Sequence, residues 1–161
     1  MNIRIYRPDE FSDIIVLQDE FINEFFPEIK NDPIRKDIEK DIRDINSYYS
    51  ENGNIMWVIE NEDNVIGMGG LINQGNNTFE IKRLRISTNY RNQGLGSELL
   101  EWIENYCRKN GVKRIYLDTT NRNSGAIRFY KKHGYKEYKR ERIDTDFGGF
   151  FLHYFEKYLT T

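Results

Sequence analysis

A chain of 161 residues, 38% hydrophobic, 31% charged and 14% aromatic, fits one domain with one core and carries too many aromatics for a disordered polymer. Its formal charge is −2, and Lys and Arg are interleaved with Asp and Glu instead of gathered in a stripe, which argues against nucleic acid as a partner. The single cysteine, Cys107, excludes an internal disulfide, and with only His133 and His153 beside it no metal cluster is expected.

No apolar run nears the roughly 20 residues of a membrane span, and the N-terminus lacks the apolar core of a signal peptide, so no membrane partner and a cytoplasmic location are expected. Ile3 and Ile5 alternate with polar residues as in a short strand. From Phe11 the spacing Phe11, Ile14, Ile15, Gln18, Phe21, Ile22, Phe25 predicts a helix that Pro27 closes. A second amphipathic helix is predicted through Ile34, Ile38, Ile42, Ile45 and Tyr49, between Asp32-Pro33 and Asn52-Gly53. Runs from Ile55 to Glu60, Val65 to Leu71 and Thr78 to Ile86 read as an antiparallel meander. In the third run the alternation slips, since Phe79 and Ile81 share one parity and Leu84 and Ile86 the other. A β-bulge at Lys82 to Leu84 would return Leu84 and Ile86 to the core face, and a strand buried on both faces would read the same.

Arg91-Asn92-Gln93-Gly94-Leu95-Gly96 then leads into a helix with apolar positions Leu95, Leu99, Trp102, Ile103, Tyr106 and Cys107, ended by Asn110-Gly111. A strand from Val112 to Thr119, a helix from Ser124 to His133 and two strands, Tyr135 to Ile143 and Phe150 to Tyr158, complete the chain. Strand, glycine loop, helix, strand is a βαβ unit, so the strands at Thr78 and Val112 are expected to lie parallel with a right-handed crossover.

Two glycines between a strand and a helix N-terminus aim backbone N–H groups at one place, where the helix dipole adds about half a positive charge. The Walker loop does not fit, because Gly94-Leu95-Gly96-Ser97-Glu98 lacks its lysine, and the dinucleotide fingerprint would need Gly or Ala at Leu99. Arg-x-x-Gly-x-Gly, from Arg91 to Gly96, instead resembles the acetyl-CoA pyrophosphate loop of the GNAT family of N-acetyltransferases. The parity slip in the preceding strand and Tyr90 before the arginine match that context. Asn123-Ser124-Gly125-Ala126-Ile127-Arg128-Phe129-Tyr130, continuing to Gly134-Tyr135, is similar to the family's second signature, with Tyr135 in place of its closing Phe. The resemblance covers Ile55 to Tyr158; from Phe11 to Gly53 only the helical layout agrees.

The resemblance implies an α/β chain with the GNAT fold, a mixed, twisted sheet of about seven strands with about four helices, forming a single domain over residues 1–161. It further implies acetyl-CoA as co-substrate, no metal, and acetyl transfer to a primary amine of a small molecule or protein by direct attack in a ternary complex. The backbone of Leu84, Arg85 and Ile86 would pair with the pantetheine arm, where ordinary sheet pairing is the plain reading. N–H groups of Arg91, Asn92, Gln93, Gly94, Leu95, Gly96 and Ser97 would bind the pyrophosphate, against a simple helix-opening turn. Asn123 would hydrogen-bond the cofactor, or cap its helix; Ala126 would be small to let the cofactor pass. Tyr130 resembles the general acid that protonates the departing thiolate, against a core tyrosine packed on Phe129. Glu80 lies where family members often place a general base, and equally fits an exposed residue cross-paired with lysine. Cys107 reads as a buried inert thiol and His133 as a helix cap, while Arg128, Lys131 and Lys132 fit either the 3′-phosphate or a solvated face. The rival is a catalytically inactive acyl-CoA-binding or regulatory module whose partner surface is the tail from Phe147 to Tyr158. Phe151 and Phe155 of that tail fit strand packing or the edge of a homodimer.

Overall fold

The computed structural model describes residues 1–160. Seven strands form one mixed sheet in the order β1-β2-β3-β4-β5-β7-β6: β1 (Asn2–Ile5), β2 (Ile55–Asn61), β3 (Asn64–Gly75), β4 (Thr78–Ile86), β5 (Arg114–Thr120), β6 (Lys136–Thr145) and β7 (Gly148–Tyr158). All neighbours are antiparallel except β4 and β5, the parallel pair that the βαβ pattern requires. That pair is short. Its register runs from Thr78↔Arg114 to Glu80↔Tyr116 and stops, so beyond Glu80 the two strands separate and the β5-facing edge of β4 has no strand partner.

On one face of the sheet, α5 (Leu95–Lys109) and α6 (Ser124–Lys132) cover a core containing Leu99, Ile103, Cys107, Ile115, Leu117 and Phe155. The helical period of α5 places Leu99, Ile103 and Cys107 in one stripe, and all three are fully buried. Trp102, expected on that stripe, is 45% exposed, because it lies a third of a turn off the line of Leu99 and Ile103. On the other face, α1 (Phe11–Phe25) packs Ile14 and Leu17 against Met56, Val58 and Met68. The α1 end forms a third cluster with Phe147 and Phe150 from the β6–β7 hairpin. The tail aromatics thus serve packing inside the chain at Phe147, Phe150 and Phe155, while Phe151 stays exposed.

The expected second helix is instead three single turns, α2 (Arg35–Ile38), α3 (Lys40–Arg43) and α4 (Ile45–Tyr48). In a continuous helix the Ile38 carbonyl would accept from the Ile42 N–H. Here it accepts from Arg83 of β4 at 2.8 Å, and the Ile42 N–H turns to Glu39 O at 3.1 Å. The expected apolar face holds at Ile42, Ile45 and Tyr49, which are buried, but fails over the first turn. Ile34 and Ile38 are exposed at 38% and 47%, whereas Glu39 and Asp41 are buried. Glu39 gathers Gln18, Arg35 and Arg43 around its carboxylate, and this ion network overrides the apolar spacing.

Candidate active site

The slip in β4 is a bulge. Lys82 pairs with Gly70 and Arg85 with Met68, so Arg83 and Leu84 together oppose Gly69. Arg83 takes the left-handed conformation at φ 58°, and its guanidinium is held by Asp41. Downstream of the bulge, Leu84 and Ile86 rejoin the core face beside Leu99 and Ile103. Arg85 consequently points to the opposite face, where its guanidinium stacks on Phe21 of α1 at 3.7 Å from the ring centroid.

A cavity of about 800 Å³ opens where β4 and β5 separate. Its floor is Leu84, Arg85 and Ile86; one wall is the loop from Arg91 through Ser97, apart from Gln93, which does not line it. The opposite wall is Asn123, Ala126, Phe129 and Tyr130, and the α1 residues Phe21, Glu24 and Phe25 close the third side. Glu80 lies outside this lining, at the last paired position of β4 before the strands diverge.

The loop has the chemistry of an anion cradle. None of the main-chain N–H groups from Asn92 to Ser97 finds an acceptor among the described residues; the first bond of the turn is Glu98 N to Gly94 O at 3.0 Å. Asn92 and Gly94 adopt φ values of +61° and +82°, which turn successive N–H groups inward. At Gly96 an added Cβ would meet only Phe129 and Ile86 at ordinary contact distances, so larger side chains there would project into the cavity. Arg91 is tied to Glu24 by an ion pair of 2.6 Å, which joins the loop to α1. A diphosphate fits the unpaired N–H groups, and an extended amide-bearing arm fits the free edge of β4.

Tyr130 is buried among Phe129, Tyr135 and Phe155, and its hydroxyl has no hydrogen-bond partner among the described residues. Burial pushes the phenol well above its ordinary range, with Arg85 opposing and Asp118 adding to the shift. Asn123 caps α6, its Oδ1 accepting from the Ala126 N–H at 3.0 Å. His133 ends the same helix, with Nδ1 at 2.8 Å from the Phe129 carbonyl oxygen. Glu80 is 8% exposed and accepts from Gln74 Nε2 at 3.0 Å and from the Tyr116 hydroxyl at 3.5 Å. Desolvation raises its pKa, Lys82 opposing, so it is a buried carboxylate and not an exposed one paired across the sheet. Cys107 is fully buried, and burial pushes its thiol up to about 12.

Sequence reasoning missed Asp118, whose carboxyl is pushed up by its enclosed surroundings although solvent reaches it. The signal was present in β5, where Leu117 belongs to the core and Tyr116 and Asp118 take the other face. The cavity-lining residues of α1 had no such signal, since Phe21 and Phe25 look like ordinary helix core.

The geometry agrees with what the chain resembles. The family model for the acetyltransferase (GNAT) family matches residues 17–135. A probable N-acetyltransferase 14 of Xenopus tropicalis is 36% identical over 98 residues, 60% of this chain and 48% of that protein. Human N-acetyltransferase 8 is 32% identical over 103 residues, 60% of this chain and 45% of that protein. The chain therefore spans about half the length of these curated relatives. Among solved structures, a GNAT-family acetyltransferase of Staphylococcus aureus Mu50 superposes with a TM-score of 0.83 at 27% identity, over 99% of both chains. The PaiA N-acetyltransferase of Thermoplasma acidophilum, solved with coenzyme A, shares the fold with a TM-score of 0.74 at 21% identity over 98% of both chains. The chain belongs to the acetyltransferase (GNAT) family.

Proposed function

We propose that residues 1–161 act as a single acetyl-CoA-dependent N-acetyltransferase domain in the cytoplasm, transferring acetyl to a primary amine by direct attack in a ternary complex. The observation that carries this reading is the row of acceptor-free N–H groups from Asn92 to Ser97, opening into the same cavity as the free edge of β4 and Tyr130. Acetyl-CoA, when bound, supplies the acetyl group as an activated thioester.

The chain's own residues would do the rest. The N–H groups at the start of α5 hold the diphosphate, and Leu84 to Ile86 present backbone N–H and C=O groups to the pantetheine amides and to the oxygen that gains charge during attack. Glu80, whose pKa is raised by burial, takes the proton of the acceptor ammonium directly or through water. Tyr130 stays protonated and gives its proton to the leaving sulfur. Cys107 takes no part, being buried and protonated.

Calorimetric titration with acetyl-CoA, followed by CoA-thiol release in the presence of amines, tests the reading. Tight binding with amine-dependent release is expected; binding without release from any amine would leave the inactive module.

A further inference from the structure

Every half-buried or buried arginine of the chain but one has a carboxylate partner among the described residues: Arg4, Arg35, Arg83, Arg91, Arg108, Arg114 and Arg122 all do, and Arg85 does not. Arg85 is partly buried in the floor of the large cavity. Its Nε donates to Gln18 Oε1 at 3.3 Å and its Nη1 to the Leu84 carbonyl at 3.2 Å, and its flat face rests on Phe21. The Nη1–Nη2 end of the fork keeps three N–H groups with no protein acceptor among the described residues. Burial and the like charge of Arg83 push this guanidinium down to about 9, against the more distant carboxylates of Asp41 and Asp118, neither of which touches it.

We propose that the open end of Arg85 is the recognition site for a carboxylate carried by the acceptor, so that the substrate class is amino acids and related amines bearing a carboxylate close to the reacting nitrogen. The proposal rests on the acetyltransferase reading and adds the acceptor to it. An anion at Arg85 would sit at the end of the cavity beside Gln18 and Phe21 of α1, whereas the diphosphate would sit at the loop that starts α5. A guanidinium fixed at one edge and stacked on one face offers a single planar fork, which matches one carboxylate. A phosphate would find no second cation from Arg83, whose charge Asp41 already meets. Tyr130 lines the same cavity as Arg85, so a carboxylate on Arg85 keeps the acceptor in the cavity that also holds the proposed proton donor.

The test uses matched acceptor pairs, each an α-amino acid and the amine lacking only its carboxylate, with wild type, Arg85→Met and Arg85→Lys. Wild type is expected to prefer the carboxylate member by roughly 10²-fold in kcat/KM, mostly through KM, as for a charged hydrogen-bonded pair. Arg85→Met should collapse that ratio to within about threefold, and Arg85→Lys, a charge without the fork, should fall between. Saturation-transfer NMR on the CoA-loaded protein, with the N-acetylated form of each pair, reads the same preference without turnover. Binding of the carboxylate products alone, lost in Arg85→Met, is expected. Equal acetylation of both members by wild type, or no selective binding of the carboxylate products, overturns the proposal while leaving the acetyltransferase reading in place. A tenfold loss of acetyl-CoA affinity in Arg85→Met with the preference retained assigns the side chain to the cofactor and also overturns it. Absence of both acetyl-CoA binding and product binding would instead sink the underlying reading.

Discussion

Arg83 and Asp41, 42 residues apart in sequence, form a two-pronged ion pair with Nη2–Oδ1 at 2.6 Å and Nε–Oδ2 at 3.1 Å. Asp41 also accepts from the Tyr49 hydroxyl at 2.7 Å, and the Tyr49 ring lies over Gly70, the β3 partner of Lys82. The left-handed residue of the bulge is thus pinned from outside the sheet by α3. Burial opposes ionisation of Asp41, but the Arg83 pair and the Tyr49 hydroxyl outweigh it and hold the carboxyl below the usual aspartate range.

Asp41→Asn should therefore destabilise the fold by about 3 kcal/mol at pH 7, since it leaves a largely buried guanidinium unpaired. Because the native pKa is depressed, this stabilisation is present above the unfolded aspartate pKa and lost as pH falls through the native one. Urea melts of both proteins from pH 7 downward check this, with the two stability curves converging only in strong acid. A gap that stays constant to acid pH would show that the carboxylate charge is not what pins the bulge.

Tyr130→Phe removes one hydroxyl from a cavity wall that otherwise stays packed, so acetyl-CoA affinity should hold while kcat drops roughly 10²-fold. The raised phenol pKa means that Tyr130 supplies a proton over the whole neutral range. The defect should shrink as pH rises toward the pKa of the leaving thiol, which then needs its proton less. Equal kcat at pH 7 with chemistry rate-limiting would reduce Tyr130 to a packing residue.

A base must be deprotonated to act, and burial sets the Glu80 pKa above the ordinary glutamate value. The acid limb of the kcat/KM profile should accordingly rise with pH and be displaced upward from the range of an exposed carboxylate. Glu80→Gln should lower kcat/KM by roughly 10²-fold and remove that limb. Retention of the limb in this variant assigns it to another group, with Asp118 next in line.

Gly96→Val should weaken acetyl-CoA strongly, by at least roughly 30-fold, with little loss of stability, because the added atoms enter the cavity and not the core. Titration calorimetry beside a thermal melt separates the two effects. Cys107→Ala, in contrast, should keep most activity and cost about 1–2 kcal/mol of stability for its small cavity. An acetylated Cys107 trapped by mass spectrometry during turnover would contradict direct transfer.

Much of this molecule was legible because its signals are local. The parity slip between Ile81 and Leu84 located the bulge, and the two glycines with Asn110-Gly111 bounded α5. The break of the second helix was not legible, since what breaks it is Arg83, 45 residues away, taking the Ile38 carbonyl. The side chain of Arg85 was overlooked for a related reason. In sequence it is one charge in a charged strand, and only the packing of α1 reveals that it has no counter-ion.

The most direct test of the acetyltransferase account is the initial rate of CoA-thiol release, measured with acetyl-CoA and an amine panel varied together. The account predicts release that requires the amine and gives intersecting reciprocal plots, as sequential addition demands. Parallel plots, or acetyl-CoA binding with no amine-dependent release, would contradict it.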